Sequence, residues 1–344
     1  MKISSILSIV LINIKIWILK LLGKSNKIVP YKALISLTNL CNSRCEYCEI
    51  WKIKPQNEVN LEDINKFFKD INKNLYWLAI TGGEITLVKY YYSLIDEAVK
   101  NCKNLKIFTF TTNALAIDRA VNYAKYAKNK GLDVFITISL DGNEETHDEL
   151  RGIPGNYNKC MKLYKRLEEE KINCHFGTTV SDQNTNFFSK EYLEMKDKIR
   201  STQAVHGNGI YGVDKKVSDD LIINALNIIY KNYKIKNLSE IIEKIHVKIS
   251  SLFLKKSRKK NIIPCEVLNT SVHIMPSGDV NPCMFMKSIG NIRKQDFMSI
   301  IYSKKAKDSK EIVKKNNCPK CWLNCYSVHS IMQHPIKSIS KLMN

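Results

Sequence analysis

The stretch Leu40-Cys41-Asn42-Ser43-Arg44-Cys45-Glu46-Tyr47-Cys48-Glu49-Ile50-Trp51 decides how the rest of the chain reads. Its cysteines stand at C-x3-C-x2-C spacing, with an aromatic residue just before the third. Thiolates are soft ligands that suit iron–sulfur clusters and zinc. Four would close a metal site. Three on one tight loop leave a corner open, and an open position marks chemistry rather than structure. A zinc knuckle with a ligand elsewhere, or three unrelated thiols, are the plainer alternatives.

Working outward, the apolar run Lys32–Thr38 predicts a strand that delivers this loop. Asn60 is placed to cap a helix over Leu61–Ile71, with Asp63 at the third position. Strands follow at Tyr76–Thr81, Leu105–Thr112, Asp133–Leu140, Ile172–Val180 and Thr202–His206. Helices lie between them at Lys89–Lys100, Leu115–Lys130, Asn158–Glu170 and Asn186–Ile199. Strands alternating with helices imply a parallel sheet. Six such units suit an α/β fold of partial (β/α)6, TIM-like barrel type, whose chemistry gathers where strands end at their C-terminal edge. The cysteine loop follows the first strand, in agreement.

Three further strand ends carry polar residues. Thr81-Gly82-Gly83-Glu84 joins two flexible residues to a carboxylate that can pair with an ammonium. Thr112-Asn113 ends the third strand. Ser139-Leu140-Asp141-Gly142 ends the fourth, with His147, Asp148, Arg151 and Gly152 shortly after. Asp141 and His147 read equally well as turn and helix caps. With the cysteine loop, this pattern resembles the radical S-adenosylmethionine (radical SAM) enzymes. The resemblance implies that Cys41, Cys45 and Cys48 each hold one iron of a [4Fe–4S] cluster, with SAM on the fourth iron. It places Tyr47 near the adenine and Gly82, Gly83 and Glu84 around the SAM amino group. Asn113, Ser139 and Arg151 become further SAM-binding candidates, a guanidinium gripping a carboxylate bidentately, and Asn184 a weaker one. Proline usually follows the Glu of this motif; here Ile85 does.

A second cysteine group reads Cys265, Cys283, Cys318, Cys321 and Cys325, with a hairpin turn signal at Pro276-Ser277-Gly278-Asp279. So small a module needs metal ligation for part of its stability. It resembles the SPASM and twitch extensions of the same superfamily. Five cysteines are fewer than a two-cluster SPASM domain uses, which favours one auxiliary [4Fe–4S] cluster on Cys265, Cys283, Cys318 and Cys321. Cys325 would replace one of them or stay free, and a zinc ribbon uses the same spacing. Cys102, Cys160 and Cys174 stand alone and read as small buried residues.

The expected organisation is an apolar and basic segment at 1–30, the barrel at 31–206, a helical linker at 207–263, the cluster module at 264–330 and a tail at 331–344. Eleven cysteines grouped in this way point to metal binding in a reducing, cytoplasmic compartment rather than to disulfides. The formal net charge of +21 admits anionic partners, although Lys, Ile and Asn are abundant throughout and much of the charge reads as solvated surface. The run Lys255–Lys260 reads the same way.

Residues 1–30 hold Lys2, Lys15, Lys20, Lys24 and Lys27 with no acid. Ser4, Ser8 and Lys15 project to one side of the predicted helix, Asn13 and Lys20 to the other. It is therefore not cleanly amphipathic. It serves either as a peripheral anchor at the inner membrane face or as a helix packed on the protein's own body.

The resemblance implies reductive SAM cleavage and hydrogen-atom abstraction, with an electron donor such as flavodoxin or ferredoxin. A lipid-linked, glycan or small-molecule precursor is the favoured substrate. Too few residues precede the barrel for a peptide-recognition domain, which makes a peptide maturase the alternative. A non-catalytic iron–sulfur carrier or sensor fits Gly82-Gly83-Glu84 poorly, and nothing marks a separate RNA-binding module.

Overall fold

A computed structural model describes residues 2–206, 217–235 and 237–343. Along the chain the elements are α1 Ile3–Leu21, β1 Lys32–Ser36, α2 Leu61–Ile71, β2 Trp77–Thr81, α3 Tyr91–Asn101, β3 Ile107–Thr112, α4 Ile117–Asn129, β4 Asp133–Ser139, α5 Glu144–Arg151, α6 Asn156–Glu169, β5 Asn173–Val180, α7 Thr185–Lys190, α8 Tyr192–Met195 and β6 Ile199–Ala204. They continue as α9 Asp219–Asn232, α10 Leu238–Lys255, β7 Ser271–Ile274, β8 Asp279–Asn281, β9 Gly290–Asn291, α11 Phe297–Tyr302, α12 Lys304–Lys314, α13 Asn324–Gln333 and α14 Pro335–Met343. Strands β1 to β6 lie in sequence order, each parallel to the next, as the predicted partial barrel requires.

Alternation along these strands separates two faces. In β4, Val134, Ile136 and Ile138 are buried, while Phe135, Thr137 and Ser139 between them are half-buried. The first set joins the large core with Phe67, Phe68 and Phe108. The second set lines the open concave side, together with Thr109 of β3 and His175, Gly177 and Thr179 of β5. The helices need their apolar faces for the same core. Asn60 caps α2 through a capping box with Asp63, and Ile64, Phe67, Phe68 and Ile71 all face inward.

The cysteine-rich module continues the barrel sheet instead of standing apart. Its first strand, β7, pairs in parallel with β1, from Lys32 opposite Ser271 to Ile35 opposite Ile274. The predicted hairpin follows as antiparallel β7–β8, with Gly278 at φ +83° in its turn. The module therefore closes over the concave side at β1, and all five β1 residues are buried.

Several expectations change. The helix predicted over Asn186–Ile199 is two short helices, and Ile199 already begins β6. The segment read as a linker contributes to the main core through Ile222, Leu226 and Ile229 of α9, while His246 of α10 hydrogen-bonds the β6 carbonyl of Thr202. Gly207, Gly209 and Gly212, which predict a loop at the start of that segment, lie outside the described residues. Arg258, in the run read as solvated, pairs with Asp219 at 2.6 Å and donates to the Val205 carbonyl. The expected tail is helical: Pro335 opens α14, where its missing N–H costs nothing. Helix α1 does pack on the body, through Ser5, Ile9, Asn13 and Ile16.

Candidate functional site

The cysteine loop is pinned at the C-terminal edge of the sheet by backbone bonds to the glycine motif. Gly83 N–H donates to the Thr38 carbonyl at 2.6 Å and Glu84 N–H to the Leu40 carbonyl at 2.8 Å. This contact explains both glycines. A Cβ on Gly82 would lie 2.5 Å from the Thr38 oxygen, and one on Gly83 2.1 Å from the Leu40 oxygen. Gly82 also holds φ +123°. The sequence reading gave these glycines to a close approach by ligand; in the structure the close approach is to the backbone just ahead of Cys41. Gly83→Ala should cost about 1–3 kcal/mol or more through overpacking, and should displace the loop. The check is thermal unfolding together with iron content after anaerobic reconstitution, both of which should fall.

Glu84 is buried and fully committed. One carboxylate oxygen accepts from Thr86 N–H, the Thr86 hydroxyl and the Thr112 hydroxyl, and the other from Asn113 N–H at 2.9 Å. Burial raises its pKa, and those hydrogen bonds oppose the rise. Asn113 then reaches the cysteine loop, donating from its amide to the Asn42 side chain at 2.8 Å. The ends of β2 and β3 are thus tied to the residue that follows Cys41.

Arg151, the last residue of α5, crosses to the same loop. Its guanidinium lies 2.7 Å from Asp141 and 3.6 Å from the Cys45 sulfur. Ser43 Oγ is 3.2 Å from the same sulfur. Asp141 is buried and also accepts from Thr179 N–H at 2.8 Å. His147 accepts the Asp141 N–H at Nδ1 and contacts Asn156 at Nε2; burial, aided by the charge of Arg151, pulls its pKa down to about 4. Asp141 and His147 are therefore structural supports. Tyr47 hydrogen-bonds Ser181, whose backbone N–H is held by Asn184; Asn184 itself donates to the carbonyls of Asp141 and Thr179. Ser139 ends β4 half-buried on the concave face, opposite Gly177. Sequence reasoning missed Ser43, Asn42 and Ser181. Short polar residues inside and facing the loop were the available signal.

The three thiols are partly exposed; burial lifts Cys48 to about 11 and also raises Cys41, and the charges of neighbouring loop thiols add to both. Among the described residues no three His, Cys, Asp or Glu side chains converge as ligands of one ion do. Four thiolates on one zinc stand about 3.8 Å apart, given Zn–S near 2.3 Å. A cluster that takes each thiolate on a different iron asks for wider spacing. Three soft thiolates on one loop are a donor set that fits an iron–sulfur cluster taking each on a different iron.

In the second group, Cys265, Cys283, Cys318 and Cys321 line one depression with Val267, Met286 and Tyr326. Burial pushes the Cys265 thiol up to about 12 and Cys283 to about 11. Cys325 is not in that lining. It lies beside Lys32, whose ammonium donates to its carbonyl at 3.2 Å and sits 4.3 Å over the Trp77 ring. A hydrogen-bonded line, Ser36–His273–Tyr326, runs from the end of β1 to the depression. Of the isolated cysteines, Cys102 and Cys160 are buried and Cys174 is half-buried; none of the eleven forms a disulfide.

Comparison with known proteins agrees with this layout. The family model described as the Radical SAM superfamily matches residues 35–186, and that of an iron–sulfur cluster-binding domain (SPASM) matches 265–326. The sporulation killing factor maturation protein SkfB of Bacillus subtilis is 29% identical over 166 residues, 48% of this chain and 39% of SkfB. The antilisterial bacteriocin subtilosin biosynthesis protein AlbA, from the same organism, is 26% identical over 288 residues, 82% of this chain and 61% of AlbA. The chain thus spans less than two thirds of either relative. The solved structure of native anSMEcpe with bound AdoMet and Cp18Cys peptide superposes with TM-score 0.64 at 16% identity, covering 92% of this chain and 98% of that one.

Proposed function

Since this chain belongs to the radical SAM superfamily and carries an iron–sulfur cluster-binding domain in its C-terminal part, we propose that it cleaves SAM reductively and takes a hydrogen atom from a carbon of a peptide substrate. One observation carries the first half. Cys41, Cys45 and Cys48 sit on a loop bonded directly to Gly83 and Glu84, and both oxygens of Glu84 are already occupied. The loop supplies three thiolates, and that carboxylate is not free to become a fourth ligand. Cys41, Cys45 and Cys48 would hold a [4Fe–4S] cluster, which, once reduced by an external donor, would supply the electron for reductive SAM cleavage. The chain's own part is placement. Gly83 and Glu84 fix the loop, Asn113 holds Asn42, and Arg151 sets its positive charge beside the Cys45 sulfur. Tyr47, held by Ser181, and Ser139, at the end of β4, would contact the adenosyl group. The surrounding fold positions SAM and substrate and keeps water away. The reducing cytoplasm and a small electron donor of the flavodoxin or ferredoxin class complete the setting.

For the auxiliary module we infer one [4Fe–4S] cluster on Cys265, Cys283, Cys318 and Cys321, fully ligated and carrying electrons. Replacing Cys318 and Cys321 by alanine should stall product formation and spare uncoupled SAM cleavage. The two are read separately by product mass and by 5′-deoxyadenosine, and full turnover in that variant would overturn the electron role.

The peptide reading is favoured over a lipid-linked or small-molecule precursor by the relatives. AlbA and SkfB are named for making a bacteriocin and a killing factor, and anSMEcpe was solved with a peptide. The test supplies reconstituted enzyme with SAM, reductant and an extract of cells grown in deuterated medium. Deuterium should appear in 5′-deoxyadenosine and vanish when the extract is first digested with protease. Transfer that survives protease but is removed by solvent extraction of lipids would reverse the assignment.

A further inference from the structure

Helix α1 packs on the protein through Ser5, Ile9, Asn13 and Ile16 and turns most of its large apolar residues to solvent. On the inner side Asn13 is buried, donates to the Tyr31 hydroxyl at 3.1 Å and accepts from the Gln333 amide at 2.7 Å. Lys20 pairs with Glu266 at 2.6 Å, and the Lys2 N–H donates to Asp133. On the outer side Leu7, Leu11, Ile14, Trp17, Ile18 and Leu21 are 46–76% exposed. At 100° per residue they occupy an arc of about 120° with no polar residue inside it. Of the polar positions that made the helix look mixed in sequence, Asn13 and Lys20 are absorbed by the body, while Ser4, Ser8 and Lys15 lie outside the apolar arc. Continuous apolar faces of this kind mark contact sites. Helix α14 begins two residues after Gln333 and adds exposed Ile336 and Ile339 with Lys337 and Lys341.

We propose that the outer face of α1 lies in the surface of an anionic phospholipid bilayer and holds the enzyme there as a peripheral protein. Charge selects this occupant. Lys15, Lys24 and Lys27 are exposed around the apolar arc, residues 1–30 contain no acid, and the whole chain carries +21. Such a combination is drawn to acidic headgroups. A second copy of the chain would set lysines against lysines. A transmembrane course, which the length and hydropathy of α1 allow, would expose Asn13 and Lys20 to lipid and break their contacts.

The placement also orients the active site. Helix α1 lies under the N-terminal ends of the strands, packing with Tyr31, Trp77 and Ile107, and reaching Asp133. The cysteine loop is at the opposite, C-terminal edge. The mouth of the site therefore points away from the bilayer, toward a substrate delivered from the aqueous side.

The test is co-sedimentation of the full-length reconstituted protein with vesicles containing phosphatidylglycerol or made of phosphatidylcholine alone. Binding to the anionic vesicles should be at least about tenfold stronger and should weaken with salt. The variant Leu11→Glu/Ile18→Glu should lose that binding about tenfold or more while keeping SAM cleavage, and Lys15→Ala/Lys24→Ala/Lys27→Ala should lose the preference for anionic lipid. Two results overturn the proposal: no binding to either vesicle, or binding unchanged in the Glu variant. Sedimentation velocity showing a dimer that the Glu variant dissolves, without vesicle binding, would assign the face to a second copy instead.

Discussion

Cys45→Ala should abolish 5′-deoxyadenosine formation, bringing it to the level seen without enzyme, and should halve the iron of anaerobically reconstituted protein from about eight to about four atoms. Cys45 is the middle thiol of the loop and the one most closely attended, by Ser43 Oγ at 3.2 Å and the Arg151 guanidinium at 3.6 Å. Removing it leaves two thiolates on a loop whose backbone is already fixed to Gly83 and Glu84, so no neighbouring group can swing in. Glu84 is buried with both oxygens held by hydrogen bonds, and Cys102 and Cys160 are buried in the core. Ser43→Ala is the control. It removes a hydrogen bond to the sulfur and not the ligand, and should lower activity about 10–100-fold with iron retained. Equal loss of iron in both variants would mean that the loop, and not the thiolate, is what fails.

Arg151→Leu should destabilise the protein by about 3–5 kcal/mol, because it strands the buried carboxylate of Asp141. The Asp141 side chain is 1% exposed and keeps only Thr179 N–H once the guanidinium is gone. Arg151→Lys keeps the charge but lacks the fork that spans Asp141 and Cys45 together, and should fall between. Asp141→Asn/Arg151→Leu should recover part of the loss, since the charge pair is removed as a unit. Denaturant unfolding of the wild type, Asp141→Asn, Arg151→Leu and the double variant gives the cycle. Additive losses would show that the two side chains act independently.

Much of this arrangement was legible before any coordinates. Strands β3 and β4 announced themselves by β-branched and aromatic residues, β1 by its apolar run, and Asn60 with Asp63 by the spacing of a capping box, whereas β6 begins three residues earlier than its sequence suggested. The C-x3-C-x2-C loop and Gly82-Gly83-Glu84 fell at strand ends, where parallel folds place their chemistry. What stayed hidden was of two kinds. Long-range pairing was one: nothing in the four residues of β7 says that their partner is β1, more than two hundred residues earlier. Strongly polar elements were the other. Helix α5 reads Glu-Glu-Thr-His-Asp-Glu-Leu-Arg and buries only His147 and Leu150. Its apolar pattern was too thin to see, although Asn143 before it and Gly152 after it, at φ +63°, carried the start and stop signals. Helix α1 was ambiguous for a related reason. Its polar residues satisfy partners as distant as Gln333 and Glu266, which no local pattern can reveal.

The direct test is electron paramagnetic resonance of the Cys318→Ala/Cys321→Ala protein, reduced anaerobically, with and without SAM. The auxiliary cluster is then removed from the spectrum, and what remains comes from the Cys41, Cys45 and Cys48 site. A reduced [4Fe–4S] signal whose g-values shift when SAM is added is the expected result. Zinc at that site, or a signal indifferent to SAM, would contradict an iron left open for it by three thiolates.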